Sequence, residues 1–377
     1  MRPPVRIPGP VLPGAHIRVI SPASPTLAHI PARARRGERA LTGLGFSVSY
    51  GRHARLISDN GATAGHARQR AADLMEAFED PSVDAVLSAD AGLGTRELLD
   101  FLDPAAMAAN PKPFIGSCDN VYVNQYLAAE AAMSSLYGCT LMAQLGEAGG
   151  AFPETLDYLV RALAGSAPMV CTPVPSRTGE FLNWYIPELE ACPRRRSVPG
   201  GWTWLRSGTA SGPLIGGEIT LIPDLIARFA LTLDSAVLFW HVAFHDTPPD
   251  QALRALCDNA DLSDLAGMII GAHPAIPPAV WAAQVSDMLD EALPGLTCPV
   301  VVNADISNLC PSWTVPYGER VVIDSAGKFE FFRDTRSVND PGPEASGARD
   351  RSAGTSTMSP SKAQPYSYRG LCREIPG

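Results

Sequence analysis

The chain has 377 residues, 46% of them apolar and 18% charged, with 39 acidic against 30 basic side chains for a net charge of -9. That length carries a prior of two domains, while the balance excludes a chain disordered throughout and argues against a general nucleic-acid binder. No apolar run is long enough to span a membrane, and the eight scattered cysteines form no CxxC pair, which favours neither a zinc site nor a disulfide scaffold.

In chain order, the opening Met1-Arg-Pro-Pro-Val-Arg lacks the apolar stretch of a signal peptide and points to the cytoplasm. The β-rich run His16 to Ser21 predicts a strand, closed by Pro22 and Pro25. A helix to about Leu44 and a strand over Phe46 to Tyr50 follow. Residues Ala67 to Phe78 carry Ala71, Leu74, Met75 and Phe78 on one face and predict a helix. Val83 to Ser88 and Pro113 to Gly116 read as further strands, and Tyr122 to Met133 as a helix. Strands alternating with helices at this spacing predict a doubly wound, Rossmann-like α/β domain with a mostly parallel sheet over residues 1–165.

Residues 166–206, rich in Pro, Ser and Thr and carrying Arg194-Arg195-Arg196, read as an interdomain connection with the arginines solvated. Strand-length apolar runs at Ala236 to Trp240, Met268 to Ile270, Val300 to Val302 and Val321 to Ile323 predict a smaller, β-rich α/β domain over 207–334. The remaining segment, 335–377, is 17 Ser, Pro or Gly in 43 residues and reads as a disordered tail.

Gly116-Ser117-Cys118-Asp119-Asn120 is the most informative segment. A nucleophile type at a strand-to-helix turn suits a nucleophile elbow, where a helix N-terminus lowers a thiol pKa and favours an oxyanion. The same residues suit an inert cysteine beside a helix cap, with Asp119 or Asn120 capping. The seven histidines stand at 16, 29, 53, 66, 241, 245 and 273. His241 and His245 flank a strand end, without the third ligand or HExxH pattern of a zinc site. Ala91-Gly92-Leu93-Gly94 offers backbone N–H groups to an anion but is no dinucleotide fingerprint, and Gly216-Gly217-Glu218 suits a tight turn.

Together these segments resemble the LD-carboxypeptidase family of serine peptidases, in the branch of the microcin C self-immunity peptidase. The resemblance runs from about Pro13 to Phe332. It is carried by Pro13 to Pro25, Arg68 to Asp80, Asn110 to Gly116, Gly201 to Trp204, Gly212 to Gly217, Asn303 to Asp305 and Thr314 to Pro316. It implies a Rossmann-like domain joined to a smaller one, a homodimer, and cleavage of amide bonds beside a free carboxylate by a Ser-His-Glu triad. All three triad positions are changed: Cys118 stands at the nucleophile, His241 at the acidic member and Asn308 at the histidine.

The resemblance further assigns the backbone N–H groups of Gly92 and Asp119 to an oxyanion hole, and Trp184 to stacking on a substrate's nucleobase. Ser117 takes the family's aromatic position, and Glu218 the place of an Asn or Cys near the pocket. The implied ligand is a peptidyl or aminoacyl small molecule, nucleotide-linked in the immunity branch, with no cofactor, metal, nucleic acid or membrane. Cys, His and Asn are the residue types of papain-like enzymes, which predicts acyl transfer, amide formation or amide hydrolysis through Cys118. A pseudopeptidase that binds without turnover and a non-covalent acid–base enzyme using His241 and Glu218 are the alternatives.

Overall fold

The computed structural model describes residues 5–243 and 247–332; the tail expected over 335–377 and His245 lie outside them. A six-stranded sheet is ordered Val315–Tyr317, Ser135–Tyr137, Phe114–Gly116, Ala85–Ser88, His16–Ile20, Ser47–Tyr50. Its pairings are parallel except at the Val315–Tyr317 edge. Helices Pro31–Gly43, Ala67–Glu79 and Val121–Ala129 make crossovers between its parallel strands. The order reverses at His16–Ile20, and in such sheets ligands usually bind beyond the carboxyl ends of the strands at that point.

An eight-stranded sheet runs Met169–Val170, Lys328–Phe332, Arg320–Asp324, Thr209–Glu218, Val237–His241, Gly267–Gly271, Val300–Ala304, Thr203–Arg206. Its centre is parallel and its flanks antiparallel. Side chains alternate across a strand, and here that alternation divides the core in two. Val237, Phe239, Ile269 and Val301 join a cluster that includes Ile17, Val19 and Phe114 of the first sheet. Leu238, Trp240, Met268, Ile270, Val300 and Val302 face a second cluster with Leu253, Trp281 and Val285 of the helices Pro249–Asn259 and Pro278–Ala292.

Two expectations are corrected. The segment 166–206 contributes edge strands Met169–Val170 and Thr203–Arg206 to the eight-stranded sheet rather than serving as a plain connection. The arginine run is paired rather than simply solvated. Arg194 bonds the buried Glu147, with Nε 3.1 Å from Oε2, and Arg196 reaches Glu154 at 2.8 Å, while only Arg195 is exposed, on Glu180 at 2.7 Å. A planar guanidinium leaves water readily when a carboxylate offers two acceptors at the right spacing.

Candidate active site

The buried strand Phe114–Gly116 ends at the carboxyl edge of the first sheet, and the chain turns there through extended Ser117 (φ -133°) into left-handed Cys118 (φ 51°). A non-glycine residue in that region carries about 1 kcal/mol or more of strain and needs its surroundings to hold it. Three bonds do so. The Cys118 amide donates to the Tyr137 hydroxyl at 3.0 Å, its thiol to Asn308 Oδ1 at 3.1 Å, and the Asn120 amide to the Ser117 carbonyl at 3.1 Å. Asn120 stands at the N-cap position of the helix Val121–Ala129 without a side-chain cap hydrogen bond. Asn120 instead bonds the Ser117 carbonyl through Nδ2 (2.8 Å) and accepts from Ser88 Oγ (3.0 Å), tying the elbow to the next strand.

The thiol is not activated as the helix N-terminus suggested. Burial pushes it well above the ordinary thiol range, and the carboxylates of Asp119, Glu218 and Asp90 push it further, against a smaller opposing effect of the Asn308 hydrogen bond. Burial disfavours the thiolate first, and nearby carboxylates add to it.

Asp119 is buried, and its carboxylate organises the glycine loop after Ala85–Ser88. Oδ1 accepts from the Gly92 amide at 3.0 Å, and Oδ2 from the Thr95 amide at 3.3 Å and hydroxyl at 2.6 Å. The Gly92 N–H assigned to an oxyanion hole is therefore engaged by Asp119 in this conformation. Gly92 has φ 152°, and a Cβ there would lie 2.0 Å from Ser24 Oγ, so only glycine fits.

His241 and Glu218 are register partners at the carboxyl ends of adjacent parallel strands, and both are buried. His241 Nε2 lies 2.6 Å from the Tyr137 hydroxyl. Glu218 Oε2 accepts from the Thr220 amide at 3.1 Å and from the Thr220 hydroxyl, and its charge is felt at Cys118. Trp184 is half-buried, packed on the core with the Arg33 guanidinium 3.9 Å above its ring. Ser117 is half-buried beside Cys118. Tyr137, Thr95 and the carboxylate role of Asp119 escaped the sequence reading. The one available signal was that Tyr137 ends a strand of the parallel sheet, and such ends converge. Among the described residues no group of three or more His, Cys, Asp or Glu could hold a metal, and no helix is long and apolar enough to cross a membrane.

Asp90, at the mouth of the same loop, has its carboxyl raised to about 6, chiefly by burial. A carboxyl raised in the fold keeps its proton between pH 4 and 6 where the unfolded chain has lost it, so stability falls as pH rises through that window. Asp90→Asn removes this dependence. Its stability relative to the parent is expected to improve by about 1 kcal/mol between pH 4.5 and pH 7, with partial exposure discounted, as read from urea midpoints.

Two family descriptions match the chain in order. The LD-carboxypeptidase N-terminal domain matches residues 17–138, and the LD-carboxypeptidase C-terminal domain matches residues 211–323. The chain belongs to the LD-carboxypeptidase family. Within it, the Microcin C7 self-immunity protein MccF of Escherichia coli is 24% identical over 328 residues, covering 85% of this chain and 93% of that protein. The crystal structure of an MccF-like protein from Bacillus anthracis is 25% identical with a TM-score of 0.76, covering 87% of this chain and 99% of the other. MccF in complex with aspartyl sulfamoyl adenosine shares the fold at 22% identity and TM-score 0.76, over 88% of this chain and 100% of that one. In this LD-carboxypeptidase family member, the elbow thiol and Asn308 are in hydrogen-bond contact, and the Tyr137 hydroxyl meets both the Cys118 amide and His241 Nε2.

Proposed function

We propose that this protein is a divergent LD-carboxypeptidase family enzyme that attacks the acyl carbon of a peptidyl or aminoacyl small molecule through Cys118. The observation that carries the reading is the left-handed elbow at Cys118, which aims Sγ onto Asn308, the residue in place of the family's histidine. Strain of that kind persists where a side chain must be presented. The Sγ–carbon bond forms, the amide carbon–nitrogen bond breaks, and the departing nitrogen takes the thiol proton. Water then resolves the thioester to an acid, or an amine resolves it to a new amide. The Asp119 amide is the oxyanion donor, Asn308 orients the thiol, and Ser117, Trp184 and Glu218 line the ligand side. A nucleotide-linked ligand is consistent with the family member bound to aspartyl sulfamoyl adenosine. The enzyme is taken as a cytoplasmic homodimer without a cofactor.

A second reading, binding without turnover, is favoured by the thiol's raised pKa and by the inability of Asn308 to accept its proton. Intact-protein mass spectrometry after incubation with aminoacyl adenylate analogues and short peptidyl nucleotides separates the two. An acyl mass added to the wild type and absent from Cys118→Ala supports the covalent enzyme. Saturable binding with no adduct and no product in the wild type supports the second reading.

A further inference from the structure

The Tyr137 hydroxyl stands between two groups from different parts of the fold. It is 3.0 Å from the Cys118 amide and 2.6 Å from His241 Nε2, and all three residues are at least half-buried. Hydrogen-bond chemistry gives the chain a direction. A backbone N–H only donates, so the tyrosine oxygen accepts from Cys118. Its own proton is then available to His241, whose Nε2 accepts when the ring proton is on Nδ1, the nitrogen 3.4 Å from the Val242 carbonyl. The tyrosine ring is fixed edge-on to Phe239, with centroids 4.8 Å apart, and its backbone pairs with Gly116 immediately before the elbow.

Resting on the reading of Cys118 as nucleophile, we propose that His241 is a positioning residue that acts through the Tyr137 hydroxyl to lock the strained Cys118 amide. A general base taking the thiol proton is a different role and needs contact with Sγ. The relay runs to the backbone nitrogen instead. It gives the position of the family's acidic triad member a new use, which is to keep Tyr137 as an aligned acceptor under the elbow. Burial holds the Tyr137 hydroxyl well above its ordinary pKa, so it keeps its proton and can donate to the neutral imidazole.

Residue-resolved amide hydrogen exchange at Cys118 tests the relay without requiring any substrate. Tyr137→Phe keeps the ring against Phe239 and removes only the hydroxyl. It is expected to speed exchange at the Cys118 amide about tenfold, the loss of one buried hydrogen bond. His241→Leu should do the same, and the Tyr137→Phe/His241→Leu pair should add nothing to Tyr137→Phe alone. His241→Gln should stay within about threefold of wild type, because a glutamine oxygen still accepts the tyrosine proton. Unchanged exchange in His241→Leu overturns the relay, as does His241→Gln matching His241→Leu. Acyl-adduct formation is read on the same variants. A base role predicts that His241→Gln loses adduct as completely as His241→Leu while Cys118 exchange is unaffected. Absence of any adduct in the wild type removes the covalent function and leaves the exchange result to decide the relay.

Discussion

Asn308→His is expected to raise the alkylation rate of Cys118 at pH 7 by about 50-fold. The Asn308 oxygen lies 3.1 Å from Sγ, and in a histidine of the same rotamer Nδ1 occupies that place. An imidazole there accepts the thiol proton and leaves an ion pair, which lowers a thiol by about three units in Cys–His pairs. Three units multiply the thiolate fraction roughly 1000-fold at a pH below both values. A Brønsted slope of about 0.45 returns roughly 20-fold of that, because a less basic thiolate is a weaker nucleophile. The wild-type thiol, held up by burial and by Asp119, Glu218 and Asp90, should show a rate climbing with pH and no plateau up to pH 9. The variant's profile should lie about three pH units lower, with its rate still climbing through pH 7. Limiting iodoacetamide between pH 5 and 9 with intact-mass detection, and Cys118→Ala to assign the site, checks both profiles. Equal rates in the two proteins would mean that position 308 does not reach the sulfur in solution.

Arg177→Met is expected to cost about 3–5 kcal/mol of stability, the usual penalty for stranding one half of a fully buried ion pair. Both side chains of the Arg177–Asp305 pair are inaccessible, with Nε 2.6 Å from Oδ1. Arg177 also donates to the Asn303 carbonyl at 2.7 Å, and Asp305 accepts from the Val174 amide and the Trp202 indole, each at 3.2 Å. Asn303 itself is left-handed, at φ 65°. These bonds clamp the turn that leads to Asn308, so the loss should also disturb the thiol contact. Converting the second partner too, as Arg177→Met/Asp305→Leu, should recover about 1 kcal/mol or more, since no charge is then left unpaired. Only part returns, because Val174 and Trp202 lose an acceptor. Urea unfolding of the single and double variants measures both quantities. A double variant no better than the single would place the cost in those two hydrogen bonds rather than in the stranded charge.

Much of this protein was determined by the sequence alone, because strand and helix signals are local. Continuous apolar runs such as Val300 to Val302 mark strands buried on both faces, and the one-sided face of Ala67 to Phe78 marks a crossover helix; both lie where expected. The family was legible for a related reason, since several short motifs occur in order along the two matched domains. The position of Cys118 at the end of a parallel strand followed from the run Pro113 to Gly116 and the helix after it.

The tertiary structure decided the electrostatic state and the partners. Cys118 and Asn308 are 190 residues apart, and Tyr137 and His241 are 104 apart. No periodicity reports such contacts, which arise only when the carboxyl ends of strands from two sheets meet. The thiol's protonation depends first on burial, and then on carboxylates of which Glu218 and Asp90 lie far from Cys118 in sequence. The arginine run shows the same limit. Composition predicts solvation for Arg194, and Glu147, 47 residues earlier, supplies a buried carboxylate that makes pairing the lower-energy state. Local chemistry told which residues could react, and long-range packing fixed which atoms face them.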